Sequence, residues 1–269
     1  ASAVNGSRML ALGDTDVVIA GGVENMTRGP WVMSKASKAF GRDSSLYDTS
    51  FGWRFINPKL EAVYGVDGMG VTAENLVDKY SISREDQDAF AFRSHMKATA
   101  ARDSGRLAQE IIPVNIPRRK LDDLIFEHDE FIKPDTTVEI LEKLRPAFRK
   151  EGGSVTAGNS SGLNDGSAAL LLANESGLSS SGLTPLAQII SSAVVGVEPR
   201  IMGIGPVHAS EIALKRAGIT FSDLDVIELN EAFSAQALAC MRAWGLDDDD
   251  SRINPNGGGI SIGHPLGVT

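Results

Sequence analysis

The sequence predicts an α/β fold: layers built on a largely parallel sheet, interrupted by one long irregular excursion. Three observations carry this. The 269 residues, 42% apolar and 23% charged, suffice for a sizeable core. From Leu186 to Trp244 the pattern alternates strand, helix, strand, helix, with boundaries near 186–197, 207–217, 225–229 and 232–244. Between about Thr27 and Pro58, scattered polar residues with Trp31, Tyr47 and Trp53 keep no sustained period, which predicts ordered loops outside the layers.

Taken in order, Ala1 to Leu10 reads as an amphipathic helix already under way, with no cap residue ahead of it. Asp16-Val-Val-Ile-Ala-Gly-Gly22 is β-branched in its middle and closed by glycines, the texture of a buried parallel strand. Thr72 to Tyr80 predicts a helix. Ser83 opens another that runs through Ala101, with Asp86 completing a near capping box and Ala89, Phe90, Phe92, Met96 and Ala100 forming the buried face. Ile111 to Ile116 predicts an edge strand because of Pro113, and a charged hairpin follows around Glu127 to Glu130. Thr137 to Leu144 predicts a helix ended by Pro146. The small residues from Val155 lead into an apolar strand that ends at Leu172, and Asp247 to Asp250 reads as a solvated acidic turn.

Composition narrows the functional classes. A net charge of −9 argues against a general nucleic-acid or anionic-membrane surface. A single cysteine, Cys240, permits neither an intrachain disulfide nor a Cys-rich metal site, and no metal site is expected. No apolar run is long enough to span a bilayer, so the cytoplasm is the expected compartment. Both ends of the sequence read as interior points of a longer polypeptide: it opens inside a helix and stops straight after a glycine-rich turn.

Few residues offer chemistry. His95, on a charged helix, and His128, in an acidic hairpin, read as surface histidines, and His208 is ambiguous. His264 stands between glycines and a proline in Gly257-Gly-Gly-Ile-Ser-Ile-Gly-His-Pro-Leu-Gly267, where a ligand could approach the backbone closely. It is equally readable as catalytic or as a turn residue. Asn230 follows the strand 225–229, at whose carboxyl end ligands bind in open α/β sheets, although it also reads as a cap for the next helix. The glycine run lacks the spacing of a phosphate loop. Cys240 recurs with Phe233, Ala237, Met241 and Trp244 at helical spacing, which predicts a buried, inert thiol.

Four blocks together resemble the thiolase family. They are Asp16-Val-Val-Ile-Ala-Gly-Gly-Val-Glu-Asn-Met-Thr27, Thr156-Ala-Gly-Asn-Ser-Ser-Gly-Leu-Asn-Asp-Gly166, Asn230-Glu-Ala-Phe233 and Asn254-Pro-Asn-Gly-Gly-Gly-Ile-Ser-Ile-Gly-His-Pro-Leu-Gly267. The resemblance implies a layered αβαβα fold with an inserted loop domain, incomplete at both ends. Residues 1–30 would close the N-terminal half, 31–160 form the loop domain that binds CoA and substrate, and 161–269 make most of the C-terminal half.

It further implies an acyltransferase that cleaves or condenses 3-oxoacyl-CoA, with coenzyme A or acetyl-CoA as substrate and no permanently bound cofactor. His264 matches the histidine that activates a cysteine nucleophile, and Asn230 matches a residue of the oxyanion hole. Ser161, Met69, Met202, Ala232 and Phe233 match residues along the pantetheine and acyl tunnel. Lys133 falls where many members have an arginine near the CoA nucleotide. Both reactive cysteines of the family would lie outside these 269 residues, so the chain alone is expected to be inactive and to fold poorly or aggregate. The whole protein is expected to be a homodimer or homotetramer.

Gly68-Met69 departs from the His-Met pair of biosynthetic members. Asp48-Thr-Ser-Phe-Gly-Trp-Arg-Phe-Ile-Asn-Pro58 resembles the branch acting on 3-oxoadipyl-CoA, which makes Arg54 a candidate partner for a distal carboxylate. Competing readings are a short-chain acetoacetyl-CoA thiolase, a non-catalytic acyl-CoA or lipid binder, and a ketosynthase. The last uses two histidines with one cysteine and lacks Asn-Glu-Ala-Phe.

Overall fold

The structure, a computed structural model, describes residues 1–269. Helix α1 (Ser2–Leu12) ends where Gly13 turns left-handed, at φ 76°, and its N–H returns to the carbonyls of Leu10 and Met9. The helix lies on β1 (Val17–Asn25), which pairs along its whole length with β6 (Asp165–Ala173). Gly6 permits this contact, since a Cβ there would stand 3.1 Å from Leu172 Cδ1.

The expected buried parallel strand is corrected on both counts. β1 runs antiparallel to β6, and Ala20 is buried while Val17, Ile19 and Val23 are exposed. A β-branched apolar run fixes an extended backbone, not the direction of its neighbour or the number of layers laid over it. The parallel sheet expected from 186 to 229 is likewise not formed. Residues 186–197 make no ladder, with Leu186, Ile190 and Val194 exposed, and the segment 225–229 contributes one parallel bridge, Ile227 to Ile253. Strand texture became strand only where a neighbour takes up the backbone N–H and C=O groups.

The excursion after Thr27 is as irregular as its sequence, apart from the short pair β2 (Trp31–Met33) with β3 (Leu46–Asp48) and α2 (Pro58–Tyr64), capped by Asn57. Helices α3 (Met69–Tyr80) and α4 (Arg84–Asp103) follow. Ser83 Oγ accepts from the Asp86 N–H at 3.0 Å, the half of the capping box the sequence promised. Next comes an exposed hairpin of β4 (Val114–Ile116) and β5 (Leu124–Phe126), so the turn falls at 117–123 and not at Glu127 to Glu130. Thr137 caps α5 (Val138–Glu142). After β6 come α6 (Glu175–Ser181), α7 (Gly205–Ala217), α8 (Ser234–Ala243) and α9 (Gly259–Ile262).

The core gathers around α8, against which α3, α4 and α7 pack. Leu76, Phe90, Leu238, Met241, Ile253 and Ile260 are its large members. The inward face of α4 differs from expectation: Gln87, Asp88, Phe90, Ala91, Ser94, His95 and Ala98 are buried, whereas Ala100 is exposed and Ala89, Phe92 and Met96 are half-buried. Polar residues can face inward when each finds a partner. Asp88 accepts from Arg84 Nε at 2.7 Å and Asn159 Nδ2 at 2.9 Å, and His95 Nδ1 accepts from the Lys133 N–H at 3.3 Å. The surface reading of His95 is therefore corrected. It is 3% exposed, and burial, aided by the Lys133 charge, pulls its imidazole down to about 4. The acidic turn is also tethered rather than simply solvated: Asp248 accepts from Arg242 Nε at 2.9 Å and Asp250 from Arg252 Nε at 3.0 Å.

Candidate active site

The segments that precede α3 and those that flank α8 and α9 enclose a cavity of about 940 Å³. One wall comes from the loops 24–30 and 49–54, held together because Thr49 donates to the Pro30 carbonyl through its N–H at 3.2 Å and its Oγ1 at 2.6 Å. Gly29 is required there, since a Cβ would stand 2.4 Å from Ser50 Oγ. The start of α3, residues 160–163 and the turn before α8 complete the wall.

Asn230 and His264 both line this cavity and meet across it: Asn230 Nδ2 lies 3.1 Å from His264 Nε2. The asparagine leaves the core with Leu229 and is not a helix cap, since Phe233 occupies the cap of α8. The histidine hangs from the end of α9, where Gly263 adopts φ 99° and a Cβ would stand 2.6 Å from Asn164 Cγ. Its ring is oriented from the far side, with Nδ1 2.9 Å from Thr269 Oγ1, and the backbone N–H of His264 donates to Asn164 Oδ1 at 3.3 Å. Burial lowers the His264 imidazole below the usual histidine range, so at neutral pH it is an uncharged ring able to take a proton.

Of the residues singled out in the sequence, Met69, Ser161, Met202, Ala232, Phe233 and Arg54 also line the cavity. Ser161 is fixed through its N–H to the Ala232 carbonyl at 3.0 Å. Arg54 is exposed, and its guanidinium donates only to the Gly52 carbonyl, at 2.9 Å. Lys133 is not brought into the lining; its ammonium stands 4.7 Å over the Phe131 ring. His128 and His208 are surface residues, His208 beside Glu211 at 3.2 Å. No group of histidine, cysteine, aspartate and glutamate side chains could hold a metal ion. No helix is long and apolar enough to cross a membrane.

Cys240 is fully buried, its Sγ donating to the Gly203 carbonyl at 3.3 Å, and burial pushes the thiol up to about 12. It is no nucleophile, as its helical spacing predicted. Arg28 and Phe148 line the cavity without having been singled out. Arg28 precedes the Gly29-Pro30 turn, a signal available in the sequence; Phe148 is brought in by the approach of Gly70, where a Cβ would stand 2.1 Å from its ring.

Comparison with known proteins gives the family. The family profile "Thiolase, N-terminal domain" matches residues 1–176 and "Thiolase, C-terminal domain" matches 183–269. The beta-ketoadipyl-CoA thiolase of Acinetobacter baylyi is 52% identical over 263 residues, covering 98% of this chain and 65% of the relative. The 3-oxoadipyl-CoA/3-oxo-5,6-dehydrosuberyl-CoA thiolase of Escherichia coli is 51% identical with the same coverage. Among solved structures, the acetyl-CoA acetyltransferase of Bacillus anthracis superposes with a TM-score of 0.88 at 41% identity, over 100% of this chain and 66% of that one. Human mitochondrial 3-ketoacyl-CoA thiolase gives 0.89 at 39%, over 99% and 65%. The chain thus spans 65% of the length of the curated relatives it matches. Two profiles that between them cover nearly every residue, and a shared fold at this level of identity, place the chain in the thiolase family.

Proposed function

We propose that this chain carries the histidine and asparagine half of an acyl-CoA:acetyl-CoA C-acyltransferase site, acting on a 3-oxoacyl-CoA with a distal carboxylate. The observation that carries the reading is the convergence of Asn230 Nδ2 and His264 Nε2, 3.1 Å apart, on one large, mainly apolar cavity. In the cleavage direction a cysteine thiolate adds to the 3-keto carbon, the C2–C3 bond breaks, and the electron pair leaves on acetyl-CoA, which takes up a proton. The acyl group then passes from the cysteine to the thiol of coenzyme A. A neutral His264 accepts the proton that makes the thiolate, and with Asn230 it supplies donors to the oxygen on which charge develops.

Coenzyme A is a substrate in this reading and no cofactor is held permanently. The thiolate comes from outside residues 1–269, because Cys240 is sealed in the core. Residues 31–160 act as the loop domain that receives the CoA and acyl chain, Ser161, Met69, Met202, Ala232 and Phe233 line the tunnel, and Lys133 reaches the nucleotide end. The working protein is a homodimer or homotetramer of the cytoplasm.

Arg54, whose guanidinium meets no carboxylate in the structure, is the residue that receives the distal carboxylate. In the protein as the cell makes it, Arg54→Ala should lower kcat/KM for 3-oxoadipyl-CoA by on the order of 10-fold while leaving acetoacetyl-CoA within about twofold, the loss of one charge-assisted contact. Equal losses on both substrates would sink the assignment of Arg54. Absence of 3-oxoacyl-CoA cleavage by the wild type would sink the function itself.

A further inference from the structure

Leu229, Asn230, Ala232 and Phe233 all face the cavity, and Glu231 alone in this run turns away from it. It is 2% exposed. A carboxylate in that position is costly unless its oxygens are taken up by donors. Oε2 accepts from Ser94 Oγ of α4 at 2.6 Å and from the Ile260 N–H of α9 at 3.2 Å, and Oε1 accepts from Asn254 Nδ2 at 2.7 Å. Burial still pushes the carboxyl above its usual range, against the pull of these donors and of Lys97.

These partners bracket the two residues of the site. Asn254 closes a two-way pair with Leu229, accepting from its N–H at 2.7 Å and donating to its carbonyl at 2.8 Å, so the chain is fixed on both sides of Asn230. Asn254 makes this contact from a left-handed backbone, φ 43°. The turn of α9 that Glu231 holds at Ile260 leads straight through Gly263 to His264. Contact is so close that a Cβ on Gly258 would stand 2.4 Å from Glu231 Cδ, and one on Gly259 would stand 3.2 Å from Asn230 Oδ1.

We propose that Glu231 is a positioning residue: by gripping Asn254 on one side and Ile260 on the other, its carboxylate sets the separation of Asn230 and His264. The proposal rests on the acyl-transfer reading above. A glutamine at this position keeps the shape but turns one acceptor into a donor opposite an N–H group already there, Ile260 in one amide orientation and Asn254 in the other, so either α9 or the Asn254 brace of Asn230 must shift. A misplacement of about 1 Å costs on the order of 100-fold in a reaction that depends on alignment.

The test is Glu231→Gln in the protein as the cell makes it, with kcat and KM measured separately and the ring nitrogens of His264 followed by 15N NMR. The expected result is a kcat lower by roughly 10- to 100-fold with KM for the acyl-CoA within about twofold, and altered His264 ring shifts. Ser94→Ala, which removes one donor, should give the same pattern more weakly, and carries the test should the glutamine variant not fold. Wild-type kcat in either folded variant overturns the proposal, as does a fall in kcat matched by an equal rise in KM. If the wild type has no thiolase activity, the acyl-transfer reading fails, and the NMR comparison decides alone: unchanged His264 shifts in Glu231→Gln overturn the positioning role.

Discussion

Helix α8 and strand β6 are of similar length and similar apolar content, seven of ten residues in the helix and six of nine in the strand, with three leucines in the strand against one in the helix. β6 reads Asp-Gly-Ser-Ala-Ala-Leu-Leu-Leu-Ala, yet none of its residues is buried and Leu170 and Leu171 are more than half exposed. α8 reads Ser-Ala-Gln-Ala-Leu-Ala-Cys-Met-Arg-Ala, and Ser234 to Met241 are buried without exception. The difference lies in what surrounds each. α8 is enclosed by α3, α4, α7 and the turn at 199–204, whereas β6 touches β1, α1 and α6. Burial follows the number of neighbours an element is given, and apolar composition only makes burial worthwhile.

The largest expected effect that tests this contrast is Leu238→Ala. With the side chain fully enclosed, truncation should lower the opening free energy of the α8 amides by about 2–5 kcal/mol, read by native-state hydrogen exchange. A loss under about 1 kcal/mol would mean that the helical core repacks freely and is no more rigid than the strand pair.

A second, smaller effect sharpens the picture of the polar lining of α4. His95 is held near 4 in the fold and returns to about 6.5 when unfolded, so the unfolded chain binds the extra proton between those values. Stability from this group is complete above about pH 6.5 and is lost as pH falls towards 4, by roughly 1–2 kcal/mol once solvent screening is allowed for. Thermal scans across that range should show the loss, and His95→Gln should flatten it. An unchanged slope in the variant would place the acid sensitivity elsewhere.

The smallest effect belongs to the strand pair. Leu171→Ala, at a position 54% exposed, should change the opening free energy of β1 and β6 amides by less than about 0.5 kcal/mol. The same measurement as for Leu238 checks it, and a loss above about 2 kcal/mol would show that this face is covered in solution, by self-association for example.

The same contrast explains what the sequence revealed. Helices were legible because their periodicity and caps are local: Ser83, Thr137 and Gly13 act within a few residues of themselves. The extended segments 186–197 and 225–229 were visible as texture, but pairing depends on residues far away in the chain, and their neighbours were not encoded in the segments themselves. The burial of His95 is not legible locally for a related reason, since its acceptor role is satisfied by the backbone of Lys133, 38 positions on. At the site, Asn230 and His264 were legible as members of unusual local blocks, and six of the seven lining candidates gather around them. The role of Glu231 is not written in its neighbourhood, because a charged residue beside a turn looks solvated until Ser94 and Asn254 are brought to it by folding.

The depth of Cys240 gives the protein a built-in gauge of its own integrity. With its thiol sealed beneath Gly203 and held to about 12, it stays silent towards alkylating reagents while the helical core is closed, and becomes reactive only when that core opens. Mass spectrometry of alkylated peptides containing this one thiol therefore reports opening of the helical core without any assay of activity.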